Sequence, residues 1–226
     1  KRVAAADYDE LDESNRNRQI GVRHDDPVPG SAKVDLVCRM IREINPEVEA
    51  VPLPCGLVSE EAFAVVRDAD WVFGCFDDDG PRAILNELSA AYAKPYIDLA
   101  SDVPEDRFYG GHVCVSIGGN GCLDCLGLLD RRAVRRYVES AEQREYENKI
   151  YGIDKGALER KGPSVSPLNG VIASLAAIEF MVAAAGMRAP TRLQKYHGWE
   201  SKVVVNRDAP RPDCIICTGT YGKREE

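Results

Sequence analysis

Two pairs of cysteines have the residue types and the spacing of a metal site. They are Cys122-x-x-Cys125 and Cys214-x-x-Cys217. Four thiolates can complete the tetrahedral shell of a zinc ion, and a shell filled by protein ligands is structural because it leaves no position for a substrate. The alternatives are two redox-active pairs or unrelated buried cysteines. We predict zinc, which would tie the C-terminal tail to the segment that follows a central strand.

A second group of polar residues follows the apolar segment at the start of the chain. Arg2 to Ala6 predicts a buried strand that ends at Asp7, and a polar loop with Asn15, Arg18 and Gln19 comes next. An acidic residue at a strand end can accept hydrogen bonds from a ribose, and the planar arginine fork suits phosphate oxygens. Taken alone, each feature is also typical of a solvated strand end or of a turn.

Two further charged residues complete a possible nucleotide site. Lys33 stands at the start of a predicted helix, and Asp77 follows the apolar run from Trp71 to Phe76. Magnesium prefers carboxylate and phosphate oxygens, and a lysine can stabilise the charge that moves onto a leaving pyrophosphate. By itself Lys33 would be a solvated first-turn lysine. Its predicted role therefore depends on Asp7, Arg18 and Asp77 meeting it at one edge of a sheet.

The pattern of apolar residues predicts alternating strands and helices. We expect helices over 33–44, 59–67, 81–93 and 168–185, and strands over 2–6, 48–53, 71–76, 95–99, 112–117, 192–196 and 202–206. This order predicts an α/β fold, with a Rossmann-like, mostly parallel sheet flanked by helices and a C-terminal antiparallel extension tied by the zinc site. The charge-rich residues 130–164 predict a crossover helix and a mobile loop.

Composition narrows the classes of partner. The chain has 29 Lys and Arg against 37 Asp and Glu, a formal net charge of −8, which gives no general attraction to nucleic acid or to an anionic membrane. The most apolar segment, Val171 to Gly186, contains Glu179, so we expect a buried helix and no membrane span. The cysteine distribution fits a reducing compartment, and we expect a cytoplasmic protein.

The motifs together resemble one enzyme family. They are Asp7-x-Asp9-x4-Ser14-Asn15-x-Asn17-Arg18-Gln19, then Lys33, Ile44-Asn45-Pro46, Asp77 with Arg82, and the two Cys-x-x-Cys pairs. Their order and spacing, from Val3 to Cys217, are similar to those of the ThiF/MoeB/HesA family, which is related to ubiquitin-activating enzymes. Members of that family form acyl-adenylates from ATP and a carboxylate.

The resemblance implies a role for each matching residue. Asp7 would bind the ATP ribose, Asn15, Arg18 and Gln19 would line the nucleotide and its phosphates, Lys33 would bind the triphosphate, and Asp77 would bind magnesium. The catalytic set would be Arg18, Lys33 and Asp77. The implied cofactors are ATP, magnesium and structural zinc. The implied partners are a ubiquitin-like or sulfur-carrier protein, or a peptide with a free C-terminus, and a second copy of the chain in a homodimer.

The sequence also departs from the family pattern. Asp78 replaces the usual Asn after the metal-binding aspartate, and residues 126–213 contain no cysteine for a crossover-loop thioester. The glycine-rich loop that normally lies roughly 20 residues before the ribose-binding acid is missing, and Gly118 to Gly121 is not a substitute. We therefore interpret 1–226 as a single, N-terminally incomplete adenylation domain that should bind ATP poorly as it stands.

The sequence favours an ATP-dependent adenylyltransferase that activates the C-terminal carboxylate of a ubiquitin-like, sulfur-carrier or peptide substrate. One alternative is a catalytically inactive subunit with the same fold, which would only bind or scaffold a carrier protein. Another is an NAD-dependent oxidoreductase, because a strand-end acid also suits a dinucleotide. The Ser-Asn-x-Asn-Arg-Gln loop and the two cysteine pairs argue against that second alternative.

Overall fold

The computed structural model describes residues 1–16, 18–104, 108–139 and 165–224. The chain divides into two compact units, Lys1–Ala69 and Asp70–Glu226. Asn17 and most of the predicted crossover, from residue 140 to residue 164, lie outside the described residues.

In the first unit, a helix connects two parallel strands. Strand β1 (Arg2–Ala6) pairs in parallel with β2 (Glu49–Leu53), and helix α1 (Lys33–Ile44) packs against both strands. Helix α2 (Glu60–Asp68) follows, and the Ser59 hydroxyl caps it by accepting a hydrogen bond of 3.1 Å from the backbone N–H of Ala62. Both helices begin and end within a residue of the bounds that the sequence predicts.

The second unit is built on a five-stranded mixed sheet. Its strands are β3 (Val72–Gly74), β4 (Tyr96–Asp102), β5 (Gly110–Ser116), β6 (Leu193–His197) and β7 (Lys202–Asn206), in the spatial order β3-β4-β5-β6-β7. Only β3 and β4 pair in parallel, and the other three pairs are antiparallel. The predicted α/β class with a C-terminal antiparallel extension is confirmed, and the antiparallel part already begins at β5.

Among the described residues, the second unit has three α-helices. Helix α3 (Asp79–Ala91) connects the parallel strands β3 and β4, and α4 (Arg131–Val138) packs against α3. Helix α5 (Ser166–Ala184) covers one face of the sheet. The core beneath it consists of Ile97, Val113, Val115, Ile172 and Ala176.

Helix α5 is buried on one face only. The sequence predicts a buried helix, but Ile178 is 50 % exposed and Met181 is 63 % exposed on its outer side. By length and apolar composition alone, α5 meets the criteria for a membrane span, although its inner face packs on the sheet. That inner face also carries the buried Glu179, whose carboxylate accepts hydrogen bonds of 2.8 and 2.9 Å from Arg188. The charge that interrupts the apolar segment is therefore paired inside the protein.

Candidate functional site

Three charged residues, Asp7, Asp9 and Lys33, are linked at the end of β1. The Lys33 ammonium lies 2.6 Å from a carboxylate oxygen of Asp9, and the backbone N–H of Lys33 donates to the Asp9 carbonyl at 3.0 Å. One oxygen of Asp7 accepts a hydrogen bond of 2.9 Å from the backbone N–H of Asp9. Backbone hydrogen bonds between residues 9–11 and residues 31–33 thus connect the strand end to the first turn of α1.

The predicted nucleotide loop forms a short 3-10 turn, Glu13–Asn15. The buried side chain of Asn15 accepts a hydrogen bond of 3.0 Å from the backbone N–H of Asp12, and the backbone N–H of Gln19 donates to the Asn15 carbonyl at 2.8 Å. The Arg18 guanidinium donates to the Ser14 carbonyl. Asn15 therefore holds the shape of the turn, and Arg18 and Gln19 stand three and four residues after it.

Asp77 belongs to the second unit and lies in the turn between β3 and α3. Its side chain is exposed. The next two carboxylates are bound to protein groups, because Asp78 caps α3 through the backbone N–H of Gly80 at 2.8 Å and Asp79 accepts from the backbone N–H of Asp130 at 2.7 Å. An asparagine can cap a helix equally well, so the departure from the family pattern at Asp78 preserves the cap.

Arg82 anchors a buried polar network that sequence analysis did not find. Its guanidinium donates to both oxygens of Asp98, at 3.1 and 2.6 Å, and one guanidinium nitrogen lies 2.8 Å from Nε2 of His112. The Tyr96 hydroxyl donates to Asp98 at 2.9 Å. Asp98 is completely buried and Arg82 is 5 % exposed. Because Arg82 also pairs with Asp79, this network fixes the start of α3 against β4 and β5.

One signal in the sequence points to this network. Asp98 lies inside the apolar run that predicts β4, and a carboxylate at a buried strand position requires a charged or hydrogen-bonding partner. That requirement does not identify the partner, since Arg82 and His112 are distant in the chain. In the structure, Nε2 of His112 lies 3.3 Å from a carboxylate oxygen of Asp98.

The pKa of Asp98 predicts a loss of stability in acid. Burial raises this pKa, but hydrogen bonds from His112 and Arg82 lower it by more, so it lies below the ordinary value of about 4. A depressed carboxyl pKa contributes stability above the unfolded-state pKa and loses it as the pH falls through the folded-state pKa. We expect Asp98→Asn to lower the free energy of unfolding at pH 7 by about 3–5 kcal/mol, because it leaves Arg82 poorly paired.

The measurement is thermal unfolding of the wild type and of Asp98→Asn across the pH range from about 5 to 3. The wild type should lose more stability than the variant over this range, because the variant has no carboxylate to protonate at this position. Equal pH dependence in the two proteins would contradict the assignment.

The four predicted zinc ligands converge in the second unit. Their sulfur atoms all lie within 4.8 Å of one another, with 3.7 Å between Cys122 and Cys214 and 3.5 Å between Cys125 and Cys217. Zinc–sulfur bonds of about 2.3 Å in a tetrahedron place the sulfurs about 3.8 Å apart. The donor set and its geometry therefore fit a closed zinc site.

The zinc cluster is linked to α3 by hydrogen bonds. The buried Asn86 side chain accepts from the backbone N–H of Leu123 at 3.2 Å, which holds the loop of the first cysteine pair. The second pair begins a short π-helical turn, Ile215–Thr220, and the tail beyond it donates from Gly222 to the Ala90 carbonyl at 2.9 Å. The cluster thus joins the C-terminal tail to the body of the unit, as the sequence predicts.

Comparison with known proteins supports a single family. The sequence model of the ThiF family matches residues 1–216. The chain is 27 % identical over 220 residues to "Adenylyltransferase and sulfurtransferase MOCS3" of Bos taurus, covering 96 % of this chain and 42 % of that protein. It is 25 % identical over 210 residues to "Protein HesA" of Leptolyngbya boryana, covering 92 % of this chain and 65 % of that protein.

Solved structures share the fold. The structure of E. coli MccB with MccA-N7isoASN has a TM-score of 0.72 and 18 % identity, and the match covers 96 % of this chain and 60 % of that one. The chain thus spans less than two thirds of the length of these relatives. Since the family match extends over nearly all of its residues, the chain belongs to the ThiF family.

Proposed function

We propose that this protein is an ATP-dependent adenylyltransferase that activates the C-terminal carboxylate of a ubiquitin-like, sulfur-carrier or peptide substrate as an acyl-adenylate. The observation that carries the proposal is the contact of Lys33 with Asp9 beside Asp7, which puts a cation and a strand-end carboxylate together in a ThiF-family chain. Relatives named adenylyltransferases and an MccB structure with ATP support it. Residues 1–226 would form part of one adenylation domain.

In this proposal each side chain has a distinct task. Asp7 accepts hydrogen bonds from the ribose, and Asn15 and Gln19 shape the loop around the nucleotide. Lys33 exchanges its contact with Asp9 for triphosphate oxygens, and Arg18 adds a second cation. The substrate carboxylate attacks the α-phosphorus, an acyl–phosphate bond forms, and the bond to the leaving pyrophosphate breaks.

Magnesium would be held by Asp77, with the phosphates supplying further oxygen ligands. The exposure of the Asp77 side chain fits this assignment, since an ion and its phosphates could reach the carboxylate from solvent. The ion would neutralise charge on the phosphates during attack. The residues between 126 and 213 contain no cysteine, so we propose that the acyl-adenylate passes directly to a nucleophile outside this segment.

ATP–pyrophosphate exchange in the full-length protein tests this function. We expect labelled pyrophosphate to enter ATP only when a substrate with a free C-terminal carboxylate is present. The matched control is the same substrate with an amidated C-terminus, which cannot form the mixed anhydride. Binding of the substrate without exchange, in a protein that also fails to bind ATP by calorimetry, would favour the scaffold-subunit alternative.

We also propose a homodimer in which the outer face of α5 contacts a second copy. That face presents Val171, Ile178 and Met181, which are 37 %, 50 % and 63 % exposed, and the one charged residue within α5, Glu179, is buried on the other face. Exposed apolar patches of this kind mark protein interfaces, and soluble oligomers are most often symmetric dimers. A partner copy would cover the apolar side chains that the sheet does not.

Ile178→Glu should convert this dimer to a monomer, because it places a charge at the centre of the apolar face. Light scattering after gel filtration measures the mass directly. The matched control is Val203→Glu, which changes another exposed apolar residue, 43 % exposed on β7, and should leave the mass unchanged. A dimeric Ile178→Glu variant or a monomeric wild type would rule out this interface.

A further inference from the structure

Helix α4 carries an arginine-rich outer face in an acidic protein. Four of its eight residues are arginines, at positions 131, 132, 135 and 136, while the whole chain has a formal net charge of −8. The helix packs against α3 through its other side, where Tyr137 lies close to Gly80. The four guanidinium groups therefore belong to the side of α4 that faces away from α3.

The four arginines divide into two pairs along the helix. Arg131 pairs with Asp124 at 3.3 Å, and Arg135 pairs with the buried Glu139 at 2.6 Å. Within residues 1–16, 18–104, 108–139 and 165–224, no carboxylate pairs with Arg132 or Arg136, although Nε of Arg136 donates to the Arg132 carbonyl at 3.4 Å. Arg132 and Arg136 are both exposed. Among the described residues, Arg131 and Arg135 thus have carboxylate partners, one of which, Asp124, is shared with Arg211, whereas Arg132 and Arg136 have none.

This arrangement destabilises the isolated helix. A cation in the first turn interacts unfavourably with the helix dipole, and Arg132 lies in the first turn of α4, where the Asp130 carboxylate that caps the helix offsets this interaction only in part. Arg132 and Arg136 are also like charges four residues apart, which repel one another. A bound anion would remove both unfavourable interactions. The arginines at these positions therefore favour the binding of an anion over the stability of the helix.

The start of α4 is fastened to the segment that follows Asp77. The backbone N–H of Asp130 donates to Asp79 at 2.7 Å, and Arg82 reaches the Leu128 carbonyl at 3.5 Å. These contacts lie within the second unit, and they hold the arginine face next to the loop that we propose binds magnesium. A polypeptide that brings its C-terminus to that loop would pass near Arg132 and Arg136.

We propose that Arg132 and Arg136 bind an acidic segment of the polypeptide whose C-terminus is activated. The inference rests on the proposed adenylyltransferase function and specifies the chemistry of its substrate. Residues four apart on a helix have Cβ atoms about 5–6 Å apart. In an extended chain, side chains on the same side repeat about every 6.6 Å. The best match is an extended segment with Asp or Glu at alternate positions.

Charge complementarity favours an acidic polypeptide over a nucleic acid. Arg132 and Arg136 together supply two guanidinium groups, and the remainder of an acidic chain repels a long polyanion. Two carboxylates of a peptide need to match only the two guanidinium groups. At physiological salt, such exposed pairs act over short distances, so distant charges of the chain affect them little.

The first test measures direct binding in the absence of ATP. A short fluorescein-labelled peptide of alternating Glu and Gly is titrated with the full-length protein at low ionic strength, and fluorescence anisotropy is recorded. The same peptide with Gln in place of Glu is the control ligand. We expect Arg132→Gln/Arg136→Gln to weaken binding of the Glu peptide about tenfold, since two charge pairs are removed. Thermal unfolding should show no loss of stability in this variant.

A matched control variant removes the same charge elsewhere in the same unit. Lys195 and Lys202 are exposed on β6 and β7, and Lys195→Gln/Lys202→Gln should leave binding of the Glu peptide unchanged. Equal affinity for the Glu and Gln peptides, or an equal loss in both double variants, would overturn the proposal. Tighter binding of a single-stranded oligonucleotide than of the Glu peptide would overturn it as well.

A second measurement separates this inference from the proposed function. In ATP–pyrophosphate exchange, a substrate peptide with alternating Glu residues should have about a tenfold lower KM than its Gln counterpart, and Arg132→Gln/Arg136→Gln should abolish the difference without changing kcat. If no substrate supports exchange, the adenylyltransferase function fails, whereas the anisotropy experiment still decides whether α4 binds an acidic segment.

Discussion

Asp77→Ala in the full-length protein should lower the rate of ATP–pyrophosphate exchange by at least about 100-fold. The substitution removes the carboxylate that we propose holds magnesium at the phosphates. Without it, charge accumulates on the leaving pyrophosphate with one fewer compensating cation. The fold should be retained, because the Asp77 side chain is exposed and the α3 cap belongs to Asp78. Initial exchange rates at saturating ATP and substrate measure the effect.

The matched control for this prediction is Asp78→Asn. It removes one negative charge from the adjacent position and keeps a side-chain oxygen for the helix cap, so exchange should remain within about threefold of the wild type. A similar loss in both variants would indicate a general effect of local charge. Full activity of Asp77→Ala would remove Asp77 from the site.

Cys214→Ser should release the zinc and strongly destabilise the second unit. Structural zinc sites in small domains contribute on the order of 10 kcal/mol, which is comparable to the stability of a whole domain. All four cysteines of the cluster are needed for a tetrahedral shell, so none of them can replace a lost ligand. A serine hydroxyl is a poor zinc ligand beside three thiolates. We expect the purified wild type to contain one zinc per chain by mass spectrometry and the variant to contain little. The thermal unfolding temperature should fall sharply.

Cys55→Ser is the control for the zinc prediction. Cys55 lies outside the cluster, and its sulfur accepts a hydrogen bond from the Ser59 hydroxyl at 3.3 Å, which a serine oxygen can also accept. Its zinc content should equal that of the wild type. Undiminished zinc in Cys214→Ser, or a wild type without zinc, would refute the assignment.

Local sequence signals predicted the helices of the first unit accurately. The spacing of apolar residues and the Asn45-Pro46 stop predict Lys33 to Ile44, and α1 has the same bounds. Serine is a residue type that favours the helix N-cap, and Ser59 caps α2. Caps and apolar spacing depend on residues a few positions apart, so a short stretch of sequence is enough to predict these helices.

The features that sequence analysis missed depend on distant contacts. The predicted strand from Trp71 to Phe76 is shorter in the structure, because only Val72 to Gly74 pairs with β4. Two partners of Asp98, Arg82 and His112, are 16 and 14 positions away in the chain, in α3 and β5, so no local pattern identifies them. For the candidate site, the structure brings Asp7, Asp9 and Lys33 together, and it confirms the convergence of the four cysteines.

Helix α3, which has thirteen residues, is connected to three different segments of the second unit. The segment with Asp77 precedes it, Asn86 near its middle holds the first cysteine loop, and its last turn receives the C-terminal tail. An α-helix of this length is a rigid rod of about 20 Å. We therefore expect thermodynamic linkage between its two ends. If zinc tightens the binding of the magnesium nucleotide, then the nucleotide must tighten zinc by the same factor, and a chelator would act as an inhibitor at a distance.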